Sequence, residues 1–191
     1  MEAAVRILTT YHVELVPGLL QTADYARAVI KAGHPEESDA DLDRRVQVRM
    51  QRQILITRKA RPATMEVVIH EMVLRRMIGD RQIMAAQLRH LADIATRANV
   101  TLRILPFAAG IPGGMVTGSF IILNFGTNAK GKPVEPTVVY VPGFTGDIYL
   151  EKPDDVRRYD KAYEALQAAA LDAIASKDLL WRVAREYESA R

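Results

Sequence analysis

Four short runs rich in β-branched and aromatic residues follow one another between Val100 and Lys152, and they constrain the fold more than any other feature of the chain. They are Thr101–Leu105, Ser119–Phe125, Thr137–Val141 and Asp147–Leu150, separated by segments that carry Gly and Pro. Such residues suit a pleated, half-buried surface, so each run predicts a strand. The flanking segments instead repeat apolar residues at three-to-four spacing, the pattern of amphipathic helices. A sheet with an apolar face must bury it under another layer, which makes the expected fold class α+β. With a further strand at Thr64–Ile69, the expectation is one mixed, largely antiparallel sheet of about five strands, flanked by N-terminal and C-terminal helices.

Helix signals fill in the rest. Glu2–Tyr11 reads as a helical turn or two, although the β-branched pair Thr9-Thr10 disfavours it. Pro17-Gly18 marks a tight turn, and Thr22 caps a helix over Ala23–Ala32 that stops at Gly33. Ser38 caps a longer helix to about Thr57. A short helix follows His70-Glu71 and stops near Gly79, and Gln82–Ala98 is a clean amphipathic helix. Pro153 with Asp154 and Asp155 opens another, and Ser176 starts the last. The chain therefore reads as one domain over 1–191, with a helical part at 1–62, a strand-rich core with one helix at 63–152, and terminal helices at 153–191.

Composition excludes several chemistries. At 191 residues and 49% hydrophobic content the chain has material for a real core. It has no cysteine, which removes disulfides, thiolate metal sites and thiol nucleophiles. Its four histidines, His12, His34, His70 and His90, lack metal-ligand spacing, so neither metal nor cofactor is expected. A formal charge of +3 is too small to bind nucleic acid through bulk electrostatics. No apolar run approaches the roughly 18 residues of a membrane span and no signal-peptide layout opens the chain, so a cytoplasmic protein without membrane contact is expected.

One helix face is chemically unusual. Leu42, Val46, Arg49 and Gln53 fall in one stripe of the Ser38–Thr57 segment, bordered by Arg45 and Arg52, so an Arg and a Gln sit on an apolar face. A buried guanidinium needs acceptors. Either Arg49 salt-bridges an internal acid while Gln53 ties two segments together, or both belong to a polar pocket for a ligand carboxylate or carbonyl. His70-Glu71 suggests an acid-base pair, but adjacent residues point in different directions. The Gly-rich segment Pro106–Gly118 lacks the ending of a phosphate-binding loop and reads as a mobile connection or a lid. The turn at Pro142–Gly146 predicts a hairpin with Tyr140 and Asp147 near one end of the sheet.

These residues carry a family resemblance. Val16-Pro-Gly-Leu-Leu-Gln-Thr-Ala-Asp-Tyr-Ala26, Val48-Arg-Met-Gln-Arg-Gln53, His70-Glu-Met-Val-Leu-Arg-Arg76, Gln87-Leu88, Val100–Phe107, Gly118-Ser-Phe120 and Val139-Tyr-Val141 through Tyr149-Leu150 occur in order along nearly the whole chain. In this the chain resembles the C-terminal effector domain of actinobacterial Xre-type helix-turn-helix regulators, the group called DUF5753. The resemblance implies a regulatory module that binds a small-molecule effector or a small regulatory protein, without direct nucleic-acid contact by this chain, and with a homodimer left open. It implies Gln21, Tyr25, Arg49, Arg52, Gln53, His70, Phe120, Tyr140 and Tyr149 as binding residues.

Two departures from the pattern stand out. Such regulators carry a DNA-binding domain ahead of this region, whereas this chain starts almost at the opening signature, as a truncated or free-standing relative would. Pro142 also stands where the family usually has Glu, which takes away a natural partner for Arg49 or Arg52 if that helix meets the sheet end. The competing expectation is a cofactor-free cyclase, pericyclase or isomerase of specialised metabolism, in which Arg49, Gln53, Tyr140 or His70 polarises a carbonyl. A protein-protein adaptor using Trp181 and the C-terminal helix is the third.

Overall fold

The computed structural model describes residues 5–189. Six strands, β1 (Ile7–His12), β2 (Thr64–His70), β3 (Val100–Leu105), β4 (Phe120–Asn124), β5 (Val138–Val141) and β6 (Ile148–Leu150), form one open sheet in the order β3-β2-β1-β4-β5-β6. β1, β2 and β3 run parallel, and β4, β5 and β6 add to β1 as an antiparallel meander. The α+β class and the mixed sheet agree with the expectation, and all five predicted strands are present.

The sixth strand corrects the reading of Glu2–Tyr11. Its first part, residues 2–4, lies outside the described residues, and Ile7–His12 is not helical but the strand through which the two halves of the sheet join. Thr9 pairs with Glu66 on one side and with Ile122 on the other. Two ladders of hydrogen bonds and the β-branched Ile7, Thr9 and Thr10 outweigh a weak local helix signal.

Among the described residues, seven α-helices pack around the sheet. In α1 (Ala23–Gly33) the Thr22 Oγ1 accepts from the Tyr25 N–H at 3.3 Å, the predicted cap. α2 (Asp39–Arg52) is capped by Ser38 but breaks at Gln53, short of Thr57, and the chain resumes as the single turn α3 (Ile54–Thr57). At the break the Gln53 N–H donates to Met50 C=O at 3.1 Å, and its side chain is drawn off to another segment. α4 (Glu71–Arg75) and α5 (Arg81–Ile94) both end a few residues before the predicted stops. α6 (Pro153–Ala169) opens at Pro153 as expected. α7 (Ala173–Ser189) starts before Ser176, because Asp172 accepts from the Ala175 N–H at 2.8 Å. Ser176 is instead buried, and its Oγ accepts from the Ile104 N–H at 2.9 Å. That bond, with Leu171 N–H donating to Ile104 C=O, covers the free edge of β3.

Strand alternation sends side chains to two faces. Tyr11, Val68, Phe120, Ile122 and Val139 meet Tyr163 and Leu166 of α6 on one face. Leu8, Met65, Val67, Ile69, Leu102, Ile104 and Leu123 lie on the other, under α5 and α7 and the segment Val16–Leu20. The helices cover the β3-β2 half of this second face, the Val16–Leu20 segment reaches over β1, and a cleft remains toward β4, β5 and β6.

Candidate functional site

The roof of the cleft is the turn Pro17–Gln21, held by three helices. Leu19 and Leu20 bury their side chains, and Leu20 is 0% exposed. Buried backbone groups then need partners, since each one left unpaired costs roughly 1–3 kcal/mol. Side chains supply them. Gln87 of α5 donates from Nε2 to Leu20 C=O (2.8 Å) and accepts at Oε1 from the Thr22 N–H (2.7 Å). Gln53 donates to Gln21 C=O at 2.7 Å, and Tyr25 of α1 accepts at its hydroxyl from the Val16 N–H at 3.3 Å. The Gln21 side chain donates to Val16 C=O (2.7 Å) and accepts from the Arg49 guanidinium (2.9 Å).

Beneath this roof lie two contiguous cavities of about 400 and 280 Å³. His12, Pro17, Gly18, Arg52, Ile121 and Tyr140 line both. The larger one adds an apolar bed of Leu8, Leu19, Met65 and Leu123, together with Thr10 and Tyr149. The smaller one adds Gln21, Arg49, Ser119, Phe120 and Pro142 among others. Leu8, Thr10 and His12 reach the floor together because they alternate along β1.

Two floor residues have unmet hydrogen-bonding capacity. Thr10 is 1% exposed, and its Oγ1 is buried without a partner. The His12 Nε2 is also buried and unpartnered. Burial lowers the His12 pKa to about 4, so its imidazole is neutral at pH 7. Tyr140 is pushed up to about 12, first by burial and then by its hydrogen bond to Asp147, and keeps its proton. Its ring lies 5.2 Å from that of Tyr149. Burial, and then the neighbouring charge of Arg52, hold Arg49 below the usual guanidinium range. No Asp or Glu lines either cavity among the described residues.

Of the residues singled out in the sequence, Gln21, Arg49, Arg52, Phe120, Tyr140 and Tyr149 border the cleft. The Phe120 ring packs on the other face, against Tyr11 and Tyr159. Tyr25 is fully buried and, with Gln53, holds the roof without lining either cavity. Gln53 thus ties two segments together as one reading had it, whereas Arg49 meets an amide instead of an internal acid. His70 is elsewhere: its Nδ1 accepts from the Met72 N–H at 3.0 Å to cap α4, and its ring packs edge-on against Phe107. Alternation along β2 turns it to the face away from the cleft.

The Gly-rich segment is no lid over this cleft along its middle part. Gly113 approaches Ala165 of α6, on the opposite face, and it is Ser119, the residue after the segment, that reaches the smaller cavity. Pro142 does line the same cavity as Arg49 and Arg52, so the sheet end and the end of α2 meet. Thr10, His12 and Gln87 were missed as site residues. The signal for the first two was the alternation Leu8-Thr10-His12, legible only once the segment is a strand.

Other features carry less chemistry. A groove of about 420 Å³ between α1 and α2 is lined by Arg44 and Arg45, which pair with Asp41 and Glu37, and by Arg49 and Arg52, which also border the cleft. Trp181 packs beneath Arg89, whose guanidinium stands 5.7 Å from the ring centre. Among the described residues no cluster of three His, Asp or Glu is placed to hold a metal, and no helix is long and apolar enough to cross a membrane. Comparison with known families matches residues 1–182 to DUF5753, described as a domain of unknown function. No curated protein and no solved structure matches the chain.

Proposed function

We propose, from the premise that the chain belongs to the DUF5753 family, that it is the effector-binding domain of a transcriptional regulator and that its effector is a small molecule held in the cleft beneath Pro17–Gln21. The observation that carries this reading is Thr10, a buried hydroxyl with no partner on the floor of a cavity large enough for a ligand. A folded chain keeps such a group at a stability cost, and a bound molecule that pairs with it removes the cost. The regulatory part rests on the ordered sequence motifs, and the roof offers a route from ligand to helices. Anything that shifts Pro17–Gln21 pulls on Gln53 and Arg49 at the end of α2 and on Gln87 in α5. Contact with DNA is not assigned to this chain.

Gly18 provides the test. Gly18 is exposed, a Cβ built there meets nothing within 4 Å, and Gly18 lines both cavities, so Gly18→Phe adds bulk at the rim of the cleft without backbone strain. Mass spectrometry under non-denaturing conditions, after incubation with a cell metabolite extract, is expected to show an adduct on the wild type that is absent from Gly18→Phe at an unchanged melting temperature. An adduct retained by the variant would sink the cleft as the site.

A second reading, a cofactor-free cyclase or isomerase, draws on the neutral His12 and the protonated Tyr140, which share both cavities and suit hydrogen bonding to a substrate carbonyl. Chromatography of the molecule released from the protein separates the two. An unchanged compound supports the effector reading, and an isomer of the compound offered supports the enzyme.

A further inference from the structure

We infer that the ligand of this cleft is a carboxylic acid with an apolar body, its carboxylate on Arg49 and its body on the bed of Leu8, Met65, Ile121 and Leu123. The inference rests on the cleft being the binding site and adds the chemical class. Arg49 is half-buried, and among the described residues it donates to the neutral amide of Gln21, which satisfies one N–H of a five-donor group. The charge that bears on it is that of Arg52, a like charge. A desolvated cation facing a cavity with no acidic lining residue among the described residues favours an anion, and the guanidinium fork matches a carboxylate geometrically.

The position of Arg49 selects the kind of anion. It lies in the last turn of α2, where the helix carbonyls present partial negative charge. That field tolerates one negative charge beside Arg49 better than the two of a phosphate monoester. The rest of the molecule is set by the larger cavity, where apolar side chains form the bed and the paired rings of Tyr140 and Tyr149 flank it. Thr10 and the neutral His12 add one neutral hydrogen-bonding position along the body, such as a hydroxyl or carbonyl. His12, Pro17, Gly18 and Ile121 border both cavities, so the two adjoin and a molecule reaching from Arg49 to Thr10 passes these four residues.

The test uses two acids, octanoate and 2-naphthoate, each beside its uncharged primary amide, titrated into the intact chain. Binding is followed by NMR at the methyl groups of Leu8, Met65, Ile121 and Leu123. Each acid is expected to bind at least about tenfold tighter than its amide, with the preference shrinking as salt is raised. The ratio is expected to survive in part in Arg49→Lys and to fall to about one in Arg49→Met. Taking a ratio cancels any general loosening of the roof, and if Arg49→Met fails to fold, the salt series on the wild type decides. Equal affinity of acid and amide in the wild type, or a preference that Arg49→Met leaves intact, overturns the acid class while the cleft remains the site. Methyl shifts with neither pair, or shifts that Gly18→Phe leaves unchanged, overturn both.

Discussion

Two polar clusters lie on either side of the Pro17–Gln21 turn, and they differ in one respect. Above it, both ends of the Gln21 and Gln87 side-chain amides are engaged, and the amide of Gln53 is bonded to the turn. Below it, Thr10 Oγ1 and His12 Nε2 are buried with nothing to bond. Groups of similar polarity therefore do opposite things. The satisfied cluster fixes the backbone in one place, and the unsatisfied one stores a cost that the proposed ligand would relieve.

The largest effect is expected from breaking the satisfied side. Gln87→Leu leaves Leu20 C=O and the Thr22 N–H without partners and should lower stability by roughly 2 to 5 kcal/mol in urea denaturation. A loss under about 1 kcal/mol would mean water replaces the amide and the roof is not latched by it.

Acid separates the two clusters, because amides do not titrate in this range and His12 does. An ordinary histidine titrates near 6.5 and His12 near about 4, so between these values the folded chain binds fewer protons than the unfolded one. The stability held by neutral His12 is thus complete above pH 6.5 and drains as pH falls toward 4, a gap worth on the order of 3 kcal/mol. Urea melts at pH 7, 5.5 and 4.5 should show a shallower decline in His12→Asn than in the wild type. Parallel declines would place the His12 titration at an ordinary pH.

The smallest effect has the most telling sign. Thr10→Val keeps the shape and removes the unpaired hydroxyl, so the empty protein should gain about 1 kcal/mol while ligand affinity drops. Loss of stability in that variant would show that the hydroxyl already has a partner, such as water, in solution.

Much of the frame was legible from local pattern. The four runs after Val100 and the Thr64–Ile69 segment alternate β-branched and apolar residues, and each became a strand within a residue or two. Thr22, Ser38 and Pro153 mark helix starts by their own chemistry. Ile7–His12 was not legible, because its identity as a strand comes from β2 and β4, which are distant in sequence. That one misreading hid Thr10 and His12, since a helical reading turns Thr10 about 200° away from Leu8 and stops at Tyr11, short of His12. The stripe carrying Arg49 and Gln53 was visible, but not that their partner is the Val16–Gln21 backbone and Gln21 side chain. His70 looked chemical from sequence because of Glu71 beside it, and its ring nitrogen is spent on capping.

The meander that ends the sheet bears on how quickly the cleft fills and empties. β6 is three residues long and, among the described residues, its strand partner is β5, yet it carries Tyr149, a wall of the larger cavity. Detaching so short an edge breaks few bonds and costs far less than unfolding the domain. If the cleft holds a ligand as proposed, its exchange is expected to follow fraying of this edge, at rates set locally. A molecule lodged between Thr10 and Tyr149 would slow that fraying, and amide hydrogen exchange along β5 and β6 would report its residence time.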